Sequence, residues 1–205
     1  MKLSECFEFC ASQQTNGIVI TSAGSSCGAW WKATHDIDRV LYLGASMSMI
    51  SMFGAGIALG APDLPVWVFM GDGAFCMNTG MLMVERELNL PNLKHFLVSN
   101  RVYGATGAAR LPNADRNDYL GIARAVGIER TYCFDSMAQL RAGFQEVVGS
   151  PGYTFSVLEV EPPPRDTKEG GVPIDDTENK FRFGRYIERT AGIQVFRQAA
   201  VPPRP

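Results

Sequence analysis

The chain has 205 residues, of which 46% are hydrophobic and 20% charged, and its formal net charge is −2. These values are typical of one globular domain with an ordinary core. The charge gives no electrostatic case for binding nucleic acid, and no Lys/Arg cluster adds one. The longest weakly polar run, residues 40–70, is interrupted by glycine, proline and aspartate, so we expect no membrane span.

The cysteines and the N-terminus indicate a cytoplasmic protein. The five cysteines are Cys6, Cys10, Cys27, Cys76 and Cys133. They form no CxxC pair, and their odd number argues against a disulfide framework or a zinc site. Glu5 and Glu8 lie in the first turns, where a signal peptide would be basic and then apolar.

Helices and strands are predicted to alternate along the chain. We expect helices over residues 3–12, from the turn at 44–46 to Leu59, and over 78–88, 119–126 and 136–148. We expect strands over 17–21, 40–43, 66–70, 93–99, 129–133 and 153–160. Residues 22–28 and 100–113 are interpreted as loops, and Asn117 as the N-cap of helix 119–126. This alternation predicts an α/β fold, a three-layer sandwich whose mostly parallel sheet is covered on both faces.

The globular domain is predicted to cover residues 1–161. The remaining residues, 162–205, are interpreted as a linker and a C-terminal tail. The linker opens with three consecutive prolines and stays polar to Gly171, and a helix is predicted over 175–190. The last five residues, Val201 to Pro205, are expected to be frayed.

An acid and an amide follow two neighbouring strands of the predicted sheet. Asp72 lies in Gly71-Asp72-Gly73 directly after strand 66–70, and Asn100 directly follows strand 93–99. Ligands of open α/β sheets bind at the carboxyl ends of the strands, so the two side chains should meet there. Both are hard oxygen donors suited to Mg²⁺ or Ca²⁺. The glycines would let the backbone approach an anion such as a diphosphate.

A second glycine cluster resembles a dinucleotide-binding fingerprint. Gly54, Gly56 and Gly60 have a similar spacing, and Asp72 lies about where a ribose-binding acid would fall. However, strand 40–43 ends well before Gly54, and Pro62 leaves almost no helix after Gly60. We therefore interpret these glycines as positions where a helix packs closely against the sheet.

The segment from Gly71 to Asn100 resembles the cofactor-binding motif of thiamine diphosphate (ThDP) enzymes: GDG, a little under thirty residues, then Asn. The family usually closes with Asn-Asn or Asp-Asn, whereas this chain has Ser99-Asn100 and keeps the ligand-bearing member. Further likeness comes from LGASM (43–47), SNRVYGATG (99–107) and KFRFGRYIE (180–188). Residues 17–161 thus resemble the diphosphate-binding (PP) domain of 2-oxo acid decarboxylases, including the sulfopyruvate decarboxylase β subunit and the phosphonopyruvate decarboxylase C-terminal domain.

The resemblance implies the ThDP-binding PP-domain fold and a set of site residues. Asp72 and Asn100 would bind Mg²⁺ through side-chain oxygens and Val102 through its main-chain carbonyl. The implied cofactor-binding residues are Gly44, Ser46, Met47, Gly71, Asp72, Gly73, Ala74, Asn100 and Tyr103. Asn78 and Thr79 are at least as well explained by helix capping as by cofactor contact.

The turn from Gly44 to Met47 resembles the GSMG-type turn of the decarboxylase branch of the family. There an apolar side chain supports the cofactor in its bent shape, a role that would fall to Met47. The family usually has Gly after this Met, whereas here it is Ser48. Met49 and Met52 are interpreted as core residues, since Met fits irregular gaps.

The family's chemistry implies a partner subunit. In these enzymes the cofactor lies between a PP domain and a pyrimidine-binding (Pyr) domain, which supplies the glutamate that activates it. This chain has one GDG-type site and is too short for both domains. We therefore expect a hetero-oligomer with a Pyr-domain subunit, α2β2 or larger, which acts as a ThDP- and Mg²⁺-dependent carbon–carbon lyase on a small 2-oxo acid.

Two other functions stay open at this point. One is the α-type subunit of a 2-oxo acid dehydrogenase, or a carboligase. The other is a non-catalytic subunit that binds ThDP and regulates a partner, which the presence of both Asp72 and Asn100 disfavours. His35, with Lys32 and Arg39, could hold a substrate carboxylate, although a solvated surface is favoured for them. His95 is interpreted as a structural histidine.

Overall fold

The computed structural model of this chain describes residues 1–164 and 171–197. Its strands are β1 (Ile18–Ser22), β2 (Val40–Leu43), β3 (Val66–Gly71), β4 (Leu93–Ser99), β5 (Val102–Tyr103), β6 (Ala109–Arg110), β7 (Thr131–Phe134) and β8 (Thr154–Glu159). Six of them form one sheet in the order β2-β1-β3-β4-β8-β7, and every pairing in it is parallel. The other two, β5 and β6, form a small antiparallel hairpin.

Helices cover both faces of the large sheet. They are α1 (Leu3–Ser12), α2 (Ser25–Thr34), α3 (Ile50–Gly60), α4 (Asp72–Met77), α5 (Met81–Leu88), α6 (Tyr119–Ala125), α7 (Met137–Val148) and α8 (Asp176–Ala191). Buried side chains of α1, α2 and α7 pack on one face, and those of α3, α5, α6 and α8 on the other. The predicted three-layer α/β fold is confirmed.

Strand β3 shows why the sequence builds this sandwich. Because successive strand residues point to opposite faces, Trp67 and Phe69 enter the core beneath α1, α2 and α7, while Val66, Val68 and Met70 enter the core beneath α3 and α5. All five are buried. A strand that is apolar on both faces is what a parallel sheet covered by helices requires.

Two predicted boundaries near the strand ends are wrong. The predicted loop over 22–28 ends early, because Gly24 with φ 89° lets the chain turn directly into α2 at Ser25. The predicted helix over 78–88 begins only at Met81, as α5, and a separate short helix, α4, precedes it over Asp72–Met77. Asn78 has φ −152° and ψ 65°, outside the helical region, and separates them.

Two further local predictions need correction. The predicted loop over 100–113 contains the β5–β6 hairpin and a 3-10 turn at Gly104–Thr106. The N-cap of α6 is Asp118 rather than Asn117: its carboxylate accepts a hydrogen bond from the Gly121 amide at 2.8 Å. That amide is the third of the helix, which is the one an N-cap side chain can reach.

The three glycines of α3 do not share one role. A methyl group on Gly54 would overlap Val68 Cγ2 and lie 3.4 Å from Leu93 Cδ1, so close packing on the sheet is confirmed there. A methyl group on Gly56 or Gly60 would have no atom of another part of the described chain within 4 Å, so close packing is wrong for these two. A helix turns one face to the sheet, and these two residues are on the other side of α3.

His95 belongs to a buried polar cluster at the centre of the sheet. Its Nδ1 lies 3.0 Å from Glu85 Oε2, which also accepts a hydrogen bond from the Tyr153 hydroxyl. Burial alone would raise the pKa of Glu85, but the attraction of His95 and hydrogen bonds from His95, Ser51 and Tyr153 outweigh it, and the pKa is lowered. The cluster lies away from the cavity described below and supports a structural role for His95.

The C-terminal part of the chain returns to the sheet. Helix α8 packs against β2, and its Phe183 and Ile187 are buried in the core. Part of the predicted linker, residues 165–170, and the end predicted to be frayed lie outside the described residues. The division of the chain at residue 161 stays a prediction. In the described part of the chain, no helix is both long and apolar enough to cross a membrane.

Candidate active site

A cavity of about 280 Å³ opens where β1, β3 and β4 end. Its lining residues are Ser22, Ala23, Ser25, Ser26, Met47, Gly71, Asp72, Gly73, Ala74, Met77, Val98, Asn100, Val102, Tyr103, Gly104, Ala105 and Thr106. The carboxyl ends of parallel strands meet at one edge of the sheet, so the loops that follow them surround a common space. The predicted acid and amide are therefore brought together in one cavity.

Asp72 is buried at the first position of α4 and is held by three donors. Its Oδ1 accepts a hydrogen bond from the Gly73 amide at 3.0 Å. Its Oδ2 accepts one from the Arg101 amide at 2.7 Å and a longer one from the Tyr119 hydroxyl at 3.5 Å. Burial raises the pKa of Asp72 to about 6, against the opposing effect of the amides of Arg101 and Gly73. A carboxylate desolvated in this way would be stabilised by a cation.

The chain reverses sharply at Arg101 so that its neighbours point into the cavity. Arg101 has φ 65°, in the left-handed region, which lets its amide reach Asp72. The Asn100 Oδ1 accepts a hydrogen bond from the Val102 amide at 3.1 Å. The Leu111 amide donates a hydrogen bond to the Arg101 carbonyl. Val102 and Arg110 are therefore a non-hydrogen-bonded pair of the hairpin, and their backbone amides and carbonyls point away from the opposite strand. The Val102 carbonyl thus lies on the same side as Asn100.

These oxygen donors fit a hard divalent cation. The set consists of one carboxylate (Asp72), one amide oxygen (Asn100) and one main-chain carbonyl (Val102), all at one cavity. Mg²⁺ prefers such oxygen ligands and keeps several positions for water or for the phosphates of a substrate. The three predicted metal ligands therefore belong to residues that line one cavity, and their role in metal binding stays a prediction.

The glycines of the GDG motif allow close packing at the strand end. The Gly71 amide donates to Ser22 Oγ at 3.0 Å, which ties the end of β3 to the end of β1. A methyl group on Gly73 would lie 2.7 Å from Tyr103 Cδ1 and 2.9 Å from Tyr103 Cε1. The ring of Tyr103 can approach this backbone only because residue 73 has no side chain. Ala74, also predicted to contact the cofactor, is buried and lines the cavity.

The start of α2 is a part of the cavity that the sequence interpretation missed. Ser22, Ser25 and Ser26 line it beside Gly71, and α2 is long enough, at ten residues, for its N-terminus to favour an anion. Treating residues 22–28 as a loop hid this feature. The signal was present in the sequence: a glycine followed by two serines ahead of an apolar segment is a usual helix start.

The predicted turn from Gly44 to Met47 contributes one residue to the cavity lining. Met47 lines the cavity at the start of a 3-10 turn (Met47–Met49). Ser46 directly before it has φ 61° and, like Gly44, is not among the lining residues of the described chain. A methyl group on Gly44 would lie 3.2 Å and 3.3 Å from the carboxylate oxygens of Asp176 in α8. Direct cofactor contact by Gly44 and Ser46 stays a prediction.

Arg101 is a second residue that sequence interpretation did not single out. Its guanidinium donates to Glu159 Oε1 at 2.6 Å and to the carbonyls of Ala114 and Asn117 at 2.8 Å and 3.1 Å. It also lies over the Tyr119 ring, 5.2 Å from its centroid. Arg101 therefore fastens the loop before α6 to the end of β8, and its own amide holds Asp72.

The remaining candidate residues lie outside the cavity lining. His35 is the C-cap of α2, at the end of that helix opposite the cavity, and Arg39 pairs with Asp36 at 2.5 Å. Asn78 caps no helix N-terminus: its amide donates to the Ser48 carbonyl at 3.1 Å and holds the turn that carries Met47. The Thr79 hydroxyl donates back to the Phe75 carbonyl at 3.1 Å.

Sequence comparisons identify related proteins. The sulfopyruvate decarboxylase subunit beta of Methanocaldococcus jannaschii is 27% identical over 155 residues, which cover 76% of this chain and 80% of that protein. The subunit beta from Methanothermobacter thermautotrophicus is 29% identical over 158 residues, 77% of this chain and 79% of that protein. The sulfopyruvate decarboxylase of Methanosarcina acetivorans is 27% identical over 87% of this chain, which matches only 45% of that longer protein.

Solved structures share the fold. A thiamin diphosphate-dependent enzyme from Mycobacterium smegmatis, described as putative, superimposes with a TM-score of 0.67 at 21% identity over 80% of this chain. The ThDP-dependent 4-hydroxybenzoylformate decarboxylase of Rhodococcus jostii gives a TM-score of 0.67 at 16% identity. This chain spans 32% and 33% of those two chains. At these identities the likeness shows the fold alone.

A family model covers more than half of the chain. Residues 42–160 match the family described as thiamine pyrophosphate enzyme, C-terminal TPP binding domain. Thiamine pyrophosphate is another name for ThDP. The matched region begins in β2, includes the turn at Met47, Asp72, Asn100 and the hairpin, and ends just after β8. The chain therefore belongs to the family of C-terminal TPP-binding domains of thiamine pyrophosphate enzymes.

Proposed function

We propose that this chain is the PP-domain subunit of a ThDP- and Mg²⁺-dependent 2-oxo acid decarboxylase, a carbon–carbon lyase. The observation that carries the proposal is the meeting of Asp72 and Asn100 in one cavity at the ends of β3 and β4. The family membership and the names of the decarboxylase relatives support it.

Asp72, Asn100 and the Val102 carbonyl would hold Mg²⁺, which would supply positive charge to offset the negative charge of the cofactor's diphosphate. The serines at the start of α2 and the backbone of Gly71 to Ala74 would hold the diphosphate oxygens. Arg101 would keep the metal site in shape, because its amide holds Asp72 and its guanidinium fastens the neighbouring loop. The hairpin residues Tyr103 to Thr106 would cover the site and exclude water.

ThDP, when bound, supplies a carbanion that adds to the ketone and an electron sink that allows CO₂ to leave. The residues of this chain would position the cofactor. Met47, which lines the cavity, would support the cofactor's bent shape with its apolar side chain. The chain contributes no glutamate to the lining of the described cavity. The proton transfer that activates the cofactor is therefore assigned to a glutamate of a partner subunit.

An apolar surface beside the cavity suits such a partner. Helix α3 contains no charged residue, yet Met49 and Phe53 at its start are exposed. Met77, which lines the cavity, is 54% exposed, and Met83 and Val84 on α5 are exposed as well. Exposed apolar residues grouped in this way mark interaction surfaces. A Pyr-domain subunit that covers the cavity would also cover this surface, in an assembly such as α2β2.

The substrate would be a small 2-oxo acid. The lining of the cavity, within the described residues, includes no Lys, Arg or His. A second anionic group, such as the sulfonate of sulfopyruvate, would therefore be bound by the partner rather than by this chain. Sulfopyruvate is the first substrate to test because the relatives are named for it. A 2-oxo acid with an uncharged aromatic side chain, which lacks the second anionic group, is the substrate to compare with it.

The test is CO₂ release by the reconstituted pair. The chain is co-expressed with a Pyr-domain candidate from its own genome, and CO₂ release from a panel of 2-oxo acids is measured with ThDP and Mg²⁺. We expect release that needs both chains and is lost in Asp72→Asn. Asp63→Asn, an exposed acid before β3, is the matched control and should keep full activity. ThDP binding without CO₂ release from any acid would favour the non-catalytic alternative instead.

A further inference from the structure

Helix α8 lies outside the region that the family model matches, yet it contacts the strand that leads into the cavity. The matched region ends at residue 160, and α8 covers Asp176–Ala191. It packs along β2, the edge strand of the large sheet. β2 ends at Leu43, and only three residues separate it from Met47 in the cavity lining. An interaction that fixes the position of β2 therefore also affects the position of Met47.

Asn179 occupies the open edge of β2. On its other edge, β2 pairs with β1, and the backbone groups of Val40 and Tyr42 point outward. The Tyr42 amide donates to Asn179 Oδ1 at 2.9 Å, and Asn179 Nδ2 donates to the carbonyls of Val40 at 2.9 Å and Ile37 at 3.3 Å. Asn179 is 1% exposed. The amide side chain of Asn179 thus satisfies backbone groups of β2 that would otherwise pair with a further strand. Because the position is buried, water cannot satisfy them instead.

Asp176, three residues before Asn179 in α8, lies close to Gly44, where the Gly44–Met47 turn begins. Its carboxylate oxygens lie 3.2 Å and 3.3 Å from the place where a side chain of Gly44 would start. This is tighter than an ordinary contact, so only glycine fits there without displacement. The following Ser46 has φ 61°, a backbone conformation that non-glycine residues adopt at a cost unless their surroundings hold it. α8 therefore contacts the segment in β2, and its Asp176 lies close to Gly44.

We propose that α8 is a part of the cofactor site, in which Asn179 and Asp176 are positioning residues that hold the Gly44–Met47 turn and keep Met47 in the cavity. Neither residue lines the cavity, so both act through the turn. The functional consequence rests on the proposed function, because it requires Met47 to contact ThDP. The structural consequence, a turn held by α8, does not depend on the cofactor.

The experiment compares Asn179→Ala with a matched asparagine elsewhere. Asn92 Nδ2 also donates to backbone carbonyls, those of Ala58, Ala61 and Leu64 at 3.0 Å each, but at the opposite end of the strands from the cavity. Asn92→Ala therefore removes similar hydrogen bonds far from the turn. Asp176→Ala is a milder second variant: Asp176 is exposed, so the variant should fold even if Asn179→Ala does not.

Two readouts are measured on the full chain. The first is hydrogen exchange of the amides of residues 44–49 without cofactor. The second is the ThDP dissociation constant, measured by calorimetry with Mg²⁺ and the partner subunit. We expect Asn179→Ala to speed exchange in the turn and to raise the dissociation constant by on the order of tenfold, which corresponds to the loss of one or two buried hydrogen bonds. Asp176→Ala should act in the same direction with a smaller effect. Asn92→Ala should lower the melting temperature and change neither readout.

Other results would overturn the proposal. If Asn179→Ala and Asn92→Ala change the ThDP affinity equally, both act only through global stability. If exchange in the turn is unchanged in Asn179→Ala and Asp176→Ala, α8 does not hold the turn. A wild-type chain that fails to bind ThDP would refute the proposed function, while the exchange measurement would still decide whether α8 holds the turn.

Discussion

The packing of α3 on the sheet gives the sharpest test of the fold. In Gly54→Ala the new methyl group would overlap Val68 Cγ2 and press on Leu93 Cδ1 at 3.4 Å. Val68 is buried and, being β-branched, has few alternative rotamers, so relief requires movement of the helix. Overpacking of this kind costs about 1–3 kcal/mol. Replacing a helical glycine by alanine returns about 0.5–1 kcal/mol. The net change is a loss of stability.

Gly56→Ala in the same helix is the matched control. It gains the same helix propensity, but no atom of the residues that the structure describes, apart from the helix's own backbone and its chain neighbours, lies within 4 Å of the added methyl group. The propensity terms cancel between the two variants, so the difference between their free energies of unfolding is the packing cost alone, about 1–3 kcal/mol. Urea denaturation of both variants measures it. Equal stabilities, or a more stable Gly54→Ala, would refute the argument that α3 lies directly on β3 at this position.

Three further predictions concern the site and the core. Asp72→Asn removes the charge of a proposed metal ligand and should weaken Mg²⁺-dependent ThDP binding by about 10–100-fold in calorimetry; unchanged affinity would remove Asp72 from the proposed metal site. Gly73→Ala should displace the Tyr103 ring, which lies within 2.7–2.9 Å of the new methyl group, and weaken ThDP binding, whereas Gly80→Ala, with 3.7 Å available, should not. Glu85→Gln should lower the free energy of unfolding at pH 7 by about 1–3 kcal/mol, because a neutral acceptor replaces a buried charged one. Because the pKa of Glu85 is lowered in the folded state, its charged form stabilises the fold fully above pH 4.5, and this contribution is lost as the pH falls through the lowered pKa. The difference in free energy of unfolding between wild type and Glu85→Gln should therefore shrink in acid. A free-energy difference that urea titrations find constant with pH would contradict this.

The fold class and the centre of the candidate site follow from local patterns in the amino-acid sequence. The apolar strand before Asp72 and the one before Asn100 are recognisable from local composition, and one strand–helix–strand unit sets their separation. Parallel neighbours place their carboxyl ends together, so the meeting of the acid and the amide follows without knowledge of the rest of the chain. These features depend on local patterns and on one rule of topology.

The other residues around that centre are known only from the way the elements pack in the folded chain. The serines of α2 reach the cavity because β1 lies beside β3 in the sheet, an order that strand patterns do not reveal. Gly54 and Gly56 are two residues apart and identical in type, yet one lies against the sheet and the other faces outward. Asn179 meets the backbone of Tyr42 from 137 residues away. Contacts between segments distant in sequence depend on how whole helices and strands pack against one another. The local hydrophobic periodicity of a segment does not indicate which other segment it will pack against.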